Sequence, residues 1–104
     1  MSYTGGPMTE AMYYILLALL TPGHGYRLMH AVEEVSGGRL RIGPGTLYGV
    51  LTRMQKERLI TVVEDDGRRK TYAITPDGRE ALLGEYRRLT DLVRDGRILE
   101  EEST

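Results

Sequence analysis

The sequence predicts a mainly α fold with a small β-hairpin, closed by a long C-terminal helix, and three features predict it. Apolar residues recur every three or four positions in several separate stretches, the period of a helix face. Two of these stretches open on a proline, Pro44 and Pro76, whose fixed φ and missing N–H suit the first turn of a helix. Between them, the runs 59–64 and 69–74 are rich in β-branched and aromatic residues and flank an Asp-Gly pair.

Residues 1–8, with Gly5-Gly6-Pro7, have no periodicity and are expected to form a flexible tail. Thr9 is placed to cap a first helix, Glu10 to Leu20, with Glu10 favourably set against the helix dipole. This helix is apolar nearly all the way round, so it must be covered on more than one side, and a second subunit is expected to supply part of the cover. Thr21-Pro22-Gly23-His24-Gly25 reads as a turn. A second helix over 25–35 should set Tyr26, Met29, Val32 and Val35 on one side, and Ser36-Gly37-Gly38 should stop it. Arg39-Leu40-Arg41-Ile42 alternates polar and apolar, as a very short strand would.

The third helix, Pro44 to Lys56 with Gly43 as N-cap, is the stretch around which the chain is organised. Leu47, Val50, Leu51 and Met54 form its core stripe. Thr46, Gly49, Arg53 and Lys56 form an outer stripe, flanked by Tyr48 and Thr52, with two cations and no carboxylate. The hairpin follows, its tip at Asp66-Gly67 read as a type I′ turn, with Arg68, Arg69 and Lys70 beside it. Thr75-Pro76-Asp77 is a strong start for a last helix running to about Asp95, where Leu82, Tyr86, Leu89 and Val93 form a seam like that of a coiled coil. The expected division is a tail over 1–8, one domain over 9–75, a pairing helix over 76–99 and a frayed acidic tail over 100–104.

The 104 residues amount to one domain with 40% hydrophobic and 28% charged residues, a composition that is neither disordered nor membrane-spanning. The net charge of −1 hides an asymmetry: residues 1–38 carry −2, 39–79 carry +4 and 80–104 carry −3. Local field matters more than the total, and the positive middle third contains both the third helix and the hairpin. The absence of cysteine excludes disulfides and thiolate metal sites; His24 and His30, six apart, do not share a helical face, so neither a metal site nor a cofactor is expected. Ser2, Ser36 and Ser103 lie in tail, turn and terminus, which gives no nucleophile with a partnered base, and no catalytic residue is expected. The apolar run 13–20 is too short to span a bilayer and no basic leader precedes it, so the expected location is the cytoplasm, with no membrane partner.

Helix, helix, short strand, helix, two-stranded wing and long helix is the order of a winged helix-turn-helix, whose third helix enters the major groove of double-stranded DNA while the wing reaches a neighbouring backbone. Arg53 and Thr46 suit base edges; Tyr48, Lys56, Arg68, Arg69 and Lys70 suit phosphates, with Arg41 a weaker contact and His24 a turn or cap residue near phosphate. The same architecture also serves RNA-binding and protein-interaction modules, and fold does not settle between them.

The segments 9–20, His24-Gly25-Tyr26, Gly43-Pro44-Gly45-Thr46-Leu47-Tyr48, Asp66-Gly67-Arg68-Arg69-Lys70 with Tyr72, and Thr75-Pro76-Asp77-Gly78 resemble, as an ordered set, the recurrent motifs of the PadR-type transcriptional regulators. The resemblance implies a homodimeric, prokaryotic repressor that binds a pseudo-palindromic operator and pairs through its last helix. It also implies Pro44, Thr46 and Tyr48 at the DNA surface and, in several members, release by a small aromatic effector near the dimer interface. The expected dimer residues are Met12, Tyr13 and Leu16 with Leu82, Tyr86, Leu89 and Val93; Met8, Met12, Tyr13, Tyr14 and Tyr86 could line an effector pocket, or simply pack. Two departures stand out: Arg58 occupies a position where the family usually has glycine, and the chain has no tryptophan with which to sandwich a planar drug.

Overall fold

The computed structural model describes residues 6–102, in the order α1 (Glu10–Ala18), β1 (Gly23–His24), α2 (Gly25–Val35), α3 (Pro44–Lys56), β2 (Ile60–Asp65), β3 (Lys70–Ile74), α4 (Pro76–Asp95) and α5 (Ile98–Glu102). The fold is a mostly helical winged helix-turn-helix carrying a three-stranded antiparallel sheet of order β1-β3-β2.

The core forms where α1 meets α2, α3 and α4. Met12, Ile15, Leu16 and Leu19 on and just after α1 are buried with Leu28 and Val32 of α2, Leu47, Leu51 and Met54 of α3, and Leu82 of α4. Thr9 caps α1 by accepting the Met12 N–H at 3.1 Å. The helix ends at Ala18, two residues short of the expected Leu20, because Pro22 and the strand that follows demand an extended chain there. Met8, assigned to the tail, is half-buried, and its N–H donates to Glu85 Oε2 at 3.2 Å; the remaining tail residues 1–5 lie outside the described residues.

Several sequence expectations are corrected. On α2 the buried residues are Gly25, Leu28 and Val32, whereas Tyr26 and Val35 are exposed, so its inner stripe is rotated from the expected one. Residues 39–42 form no strand; the Ser36 hydroxyl accepts the Leu40 N–H at 2.9 Å, and the segment runs on unpaired. The third strand comes instead from the expected turn, with Gly23 opposite Tyr72 and His24 opposite Thr71, because β3 would otherwise leave a row of backbone groups open on that edge. At the wing tip only Gly67 has positive φ, +86°, so the turn is not type I′. Asp65 Oδ1 accepts the Gly67 N–H at 2.9 Å, and Asp66 Oδ1 accepts those of Arg68 and Arg69 at 2.9 and 2.7 Å, side chains doing the work of a turn carbonyl. These amide bonds hold the Asp66 carboxyl below the usual carboxylate range. Val63 is the extra residue of a bulge between Val62 and Glu64 and points outward. At the C-terminus the expected frayed stretch is helical as α5, and residues 103–104 lie outside the described residues.

Helix α3 has the predicted bounds, with Gly43 as N-cap and Pro44 in the first turn. Its exit is a Schellman motif: the Leu59 N–H donates to Met54 O at 2.9 Å and the Arg58 N–H to Gln55 O at 3.1 Å. Arg58 therefore adopts the left-handed conformation, φ +63°, and makes the turn that glycine would make. Thr75 then ties the next junction. Its hydroxyl donates to Arg58 O at 2.7 Å and accepts the Gly78 N–H at 2.9 Å, while its own N–H donates to Leu59 O at 3.0 Å. A Cβ at Gly78 would collide with the Leu59 carbonyl, so glycine alone lets α4 start this close to β2.

Arg58→Gly should raise stability by about 1 kcal/mol, since glycine escapes the left-handed penalty. Gly78→Ala should lower it by about 1–3 kcal/mol through backbone displacement. Chemical denaturation of both variants checks the pair; a neutral Gly78→Ala would mean that the junction is loose.

Candidate nucleic-acid interface

One face of α3 is open. Pro44, Thr46, Tyr48, Gly49, Thr52, Arg53 and Lys56 are all exposed, while Leu47, Leu51 and Met54 anchor the opposite face. The amphipathic division is the one the spacing predicts, with Val50 half-buried at its edge. The outer face is less purely cationic than expected, because Arg53 Nε donates to Glu57 Oε1 at 3.1 Å, one turn on. This pair is exposed and therefore weak, so it aligns the guanidinium without locking it. Arg41 is engaged elsewhere, 3.1 Å from Glu33, and Thr52 Oγ1 donates to the Tyr48 carbonyl at 2.8 Å.

The wing and α3 are brought together by α2. A groove of about 420 Å³ is lined by His24, Gly25, Tyr26, Tyr48, Thr52, Arg68, Arg69, Lys70 and Tyr72. Among these lining residues there are three cations and no carboxylate. Tyr48, 49% exposed, lays its ring over Gly25, where any Cβ would strike the phenol. Gly25 thus sets the height of Tyr48 above the surface. Tyr72 forms the floor, and burial, with Tyr48 and Asp65 adding to it, pushes its phenol pKa up, so it stays neutral. His24 Nε2 stands 3.5 Å from Arg69 Nη1. The wing cations and Tyr48 were legible in the sequence. Gly25, Tyr26, Thr52 and Tyr72 were not read as lining one groove, because the contact joins residues more than twenty positions apart.

The expected pairing surface divides in two. Met12, Leu16 and Leu82 are 2%, 0% and 6% exposed within the chain's own core and have no surface to offer a partner, which corrects their assignment. A periodic apolar stripe does not say whose side chains cover it. Tyr86 and Val93 are exposed and Leu89 half-buried; with Leu92, also exposed, they make an open apolar strip along the C-terminal half of α4. Beside it, Met8, Tyr13, Tyr14, Glu85 and Leu89 line a cleft of about 280 Å³ between α1 and α4. Burial, then Tyr86, Tyr14 and Glu85, raise the Tyr13 pKa. Glu85 is buried and accepts two bonds from Arg88, at 2.9 and 2.6 Å, which with the Met8 N–H hold its carboxyl below the usual range. Met12, expected in this cleft, faces the core instead.

Among the described residues no helix is long and apolar enough to cross a membrane. A family model described as the transcriptional regulator PadR-like family matches residues 15–83. Over 92 residues the chain is 41% identical to an uncharacterized 37.1 kDa protein in transposon TN4556 of Streptomyces fradiae, covering 88% of this chain and 26% of that protein. It is 33% identical over 72 residues to the transcriptional regulator YqjI of Escherichia coli, covering 69% of this chain and 34% of YqjI. The chain thus spans about a quarter of the first relative's length and about a third of the second's. Among solved structures, BpsR of Bordetella bronchiseptica, whose DNA binding is regulated by 6-hydroxynicotinic acid, shares the fold with a TM-score of 0.70 at 19% identity, covering 92% of this chain and 65% of that one.

Glu85→Gln should cost about 1–3 kcal/mol at neutral pH by weakening a buried, charge-assisted pair. Because the folded carboxyl titrates below its ordinary value of 4.5, that stabilisation is complete above pH 4.5 and is lost as acid protonates the folded state. Urea melts of both proteins across this range should therefore converge at low pH; a constant gap would assign the effect to packing.

Proposed function

Because the chain belongs to the PadR-like family of transcriptional regulators, we propose that it reads double-stranded DNA in a sequence-specific way, as a homodimeric repressor of a pseudo-palindromic operator. The observation that carries this reading is the joining of the open α3 face to a groove whose lining holds Arg68, Arg69 and Lys70 and no carboxylate. A polyanion is attracted to that cationic lining.

Arg53 and Thr46 read base edges, arginine through paired bonds to guanine and threonine through a thymine methyl. Pro44 and Gly43 bring the start of α3 against the duplex, and Tyr48, Lys56 and the wing cations hold phosphates. Homodimerisation through the open strip of Tyr86, Leu92 and Val93 is supported by its contiguity and by the absence of other cover within the described residues. Two α3 helices related by a dyad then face half-sites about 34 Å apart, one turn of DNA.

A small aromatic effector fits the α1–α4 cleft, where Tyr13 and Tyr14 stand edge to face with ring centres 6.0 Å apart. The regulation of BpsR by an aromatic acid supports the same class for this chain. Such a compound releases DNA only if it prefers the dimer arrangement that DNA does not.

The test is a salt titration of binding to the duplex just upstream of the protein's own gene, against a scrambled duplex of equal composition. Preference for the upstream duplex with affinity falling steeply in salt is expected; equal weak binding would favour an architectural or RNA-binding role, and none a protein-interaction module. Tyr48→Phe should weaken both duplexes alike, whereas Arg53→Ala should relax preference at one base pair by about 1–3 kcal/mol.

A further inference from the structure

His24 lies in the cationic groove, and its position there goes beyond that of a turn residue. It sits on the two-residue strand β1, opposite Thr71 of the wing, so its backbone is held by the sheet. Its ring is half-buried, and Nε2 faces Arg69 Nη1 across 3.5 Å. Guanidinium nitrogens only donate, so this approach is a hydrogen bond only in the tautomer whose Nε2 carries no proton.

The other side chains that line the groove with it are cationic, phenolic or hydroxyl-bearing: Arg68 and Lys70 from the wing, Tyr72 from β3, Tyr48 and Thr52 from α3 and Tyr26 from α2. The wing carboxylates Asp65 and Asp66 accept turn amides through Oδ1 and keep their charge, but neither is among the residues that line the groove. A ligand that brings an anion into the groove changes that balance. We infer that His24 is a proton-linked phosphate contact: a DNA phosphodiester entering the groove draws Arg69 outward, and His24 takes one proton from solvent and donates Nε2–H to the same phosphate.

This inference rests on the DNA-binding reading and adds a regulatory property to it. The sign follows from charge. Phosphate favours the imidazolium, so binding takes up a proton and affinity rises as pH falls through the range where histidine titrates, near 6.5. The acidic complex sets one more cation against the backbone, so the plot of log K against log salt should steepen by up to about 0.9 between about pH 8 and about pH 6. The contact is to the backbone, so the upstream duplex and its scrambled control should show the same increment.

The experiment measures affinity for both duplexes at the two pH values over a salt series, for the wild type, His24→Gln and His30→Gln. His30 packs edge to face on Tyr26 outside the groove lining, with centroids 4.7 Å apart, and controls for general histidine titration. The wild type and His30→Gln should gain affinity severalfold and steepen in slope at acid pH, and His24→Gln should do neither. An NMR titration of the His24 ring should independently show its pKa rising when either duplex is added, a readout that needs no variant to fold. Duplex binding with the same pH increment in His24→Gln, or an unmoved His24 ring, overturns the inference and leaves the DNA reading intact. No duplex binding by the wild type at either pH overturns both.

Discussion

The fold turns on a knot of backbone hydrogen bonds at Thr75. The link between α3 and β2 meets the start of α4 here, and Thr75 ties them together through Arg58 O, Leu59 O and the Gly78 N–H. These groups would each be left wanting at an element end. By satisfying one another they weld the exposed face of α3, the wing and the long helix into one unit. The left-handed Arg58 and the bare Cα of Gly78 are the geometric conditions for that closure. Neither residue touches the open face, yet both decide where it points.

Around this knot the core is built on α1, which is buried on most of its circumference by the chain's own α2, α3 and α4. A helix apolar on every side needs cover from several directions, and the sequence does not name the donor. The assignment of Met12, Leu16 and Leu82 to a partner failed for that reason. What is left for a partner is the outer half of α4, where nothing in the described chain lies over Tyr86, Leu92 and Val93.

Locally determined features were legible in the sequence. Pro44 and Thr75-Pro76 mark helix starts through fixed φ and side-chain capping, and both helices begin where these residues stand. The hairpin and its cations follow from β-branched runs around Asp-Gly, although the tip differs because Asp66 binds the amides itself. Long-range features were not legible. Gly23-His24 is a strand only because β3 has an edge to fill, while the more strand-like 39–42 has none beside it. Likewise the groove exists because Gly25 admits the Tyr48 ring, a fit between two helices that neither helix announces. The open face of α3 was therefore readable, and the surroundings that turn it into a cationic cleft were not.

The welded junction gives α4 a mechanical character. Twenty residues make a rod about 30 Å long. Its inner end is fixed to the body through Thr75 and its outer end stands clear, so whatever grips the outer end holds a lever. A rotation of about 10° applied there would carry α3 through several ångströms, comparable with the 3.4 Å rise between base pairs. Small changes in how the outer half is held are thereby converted into changes of register at the opposite end of the molecule.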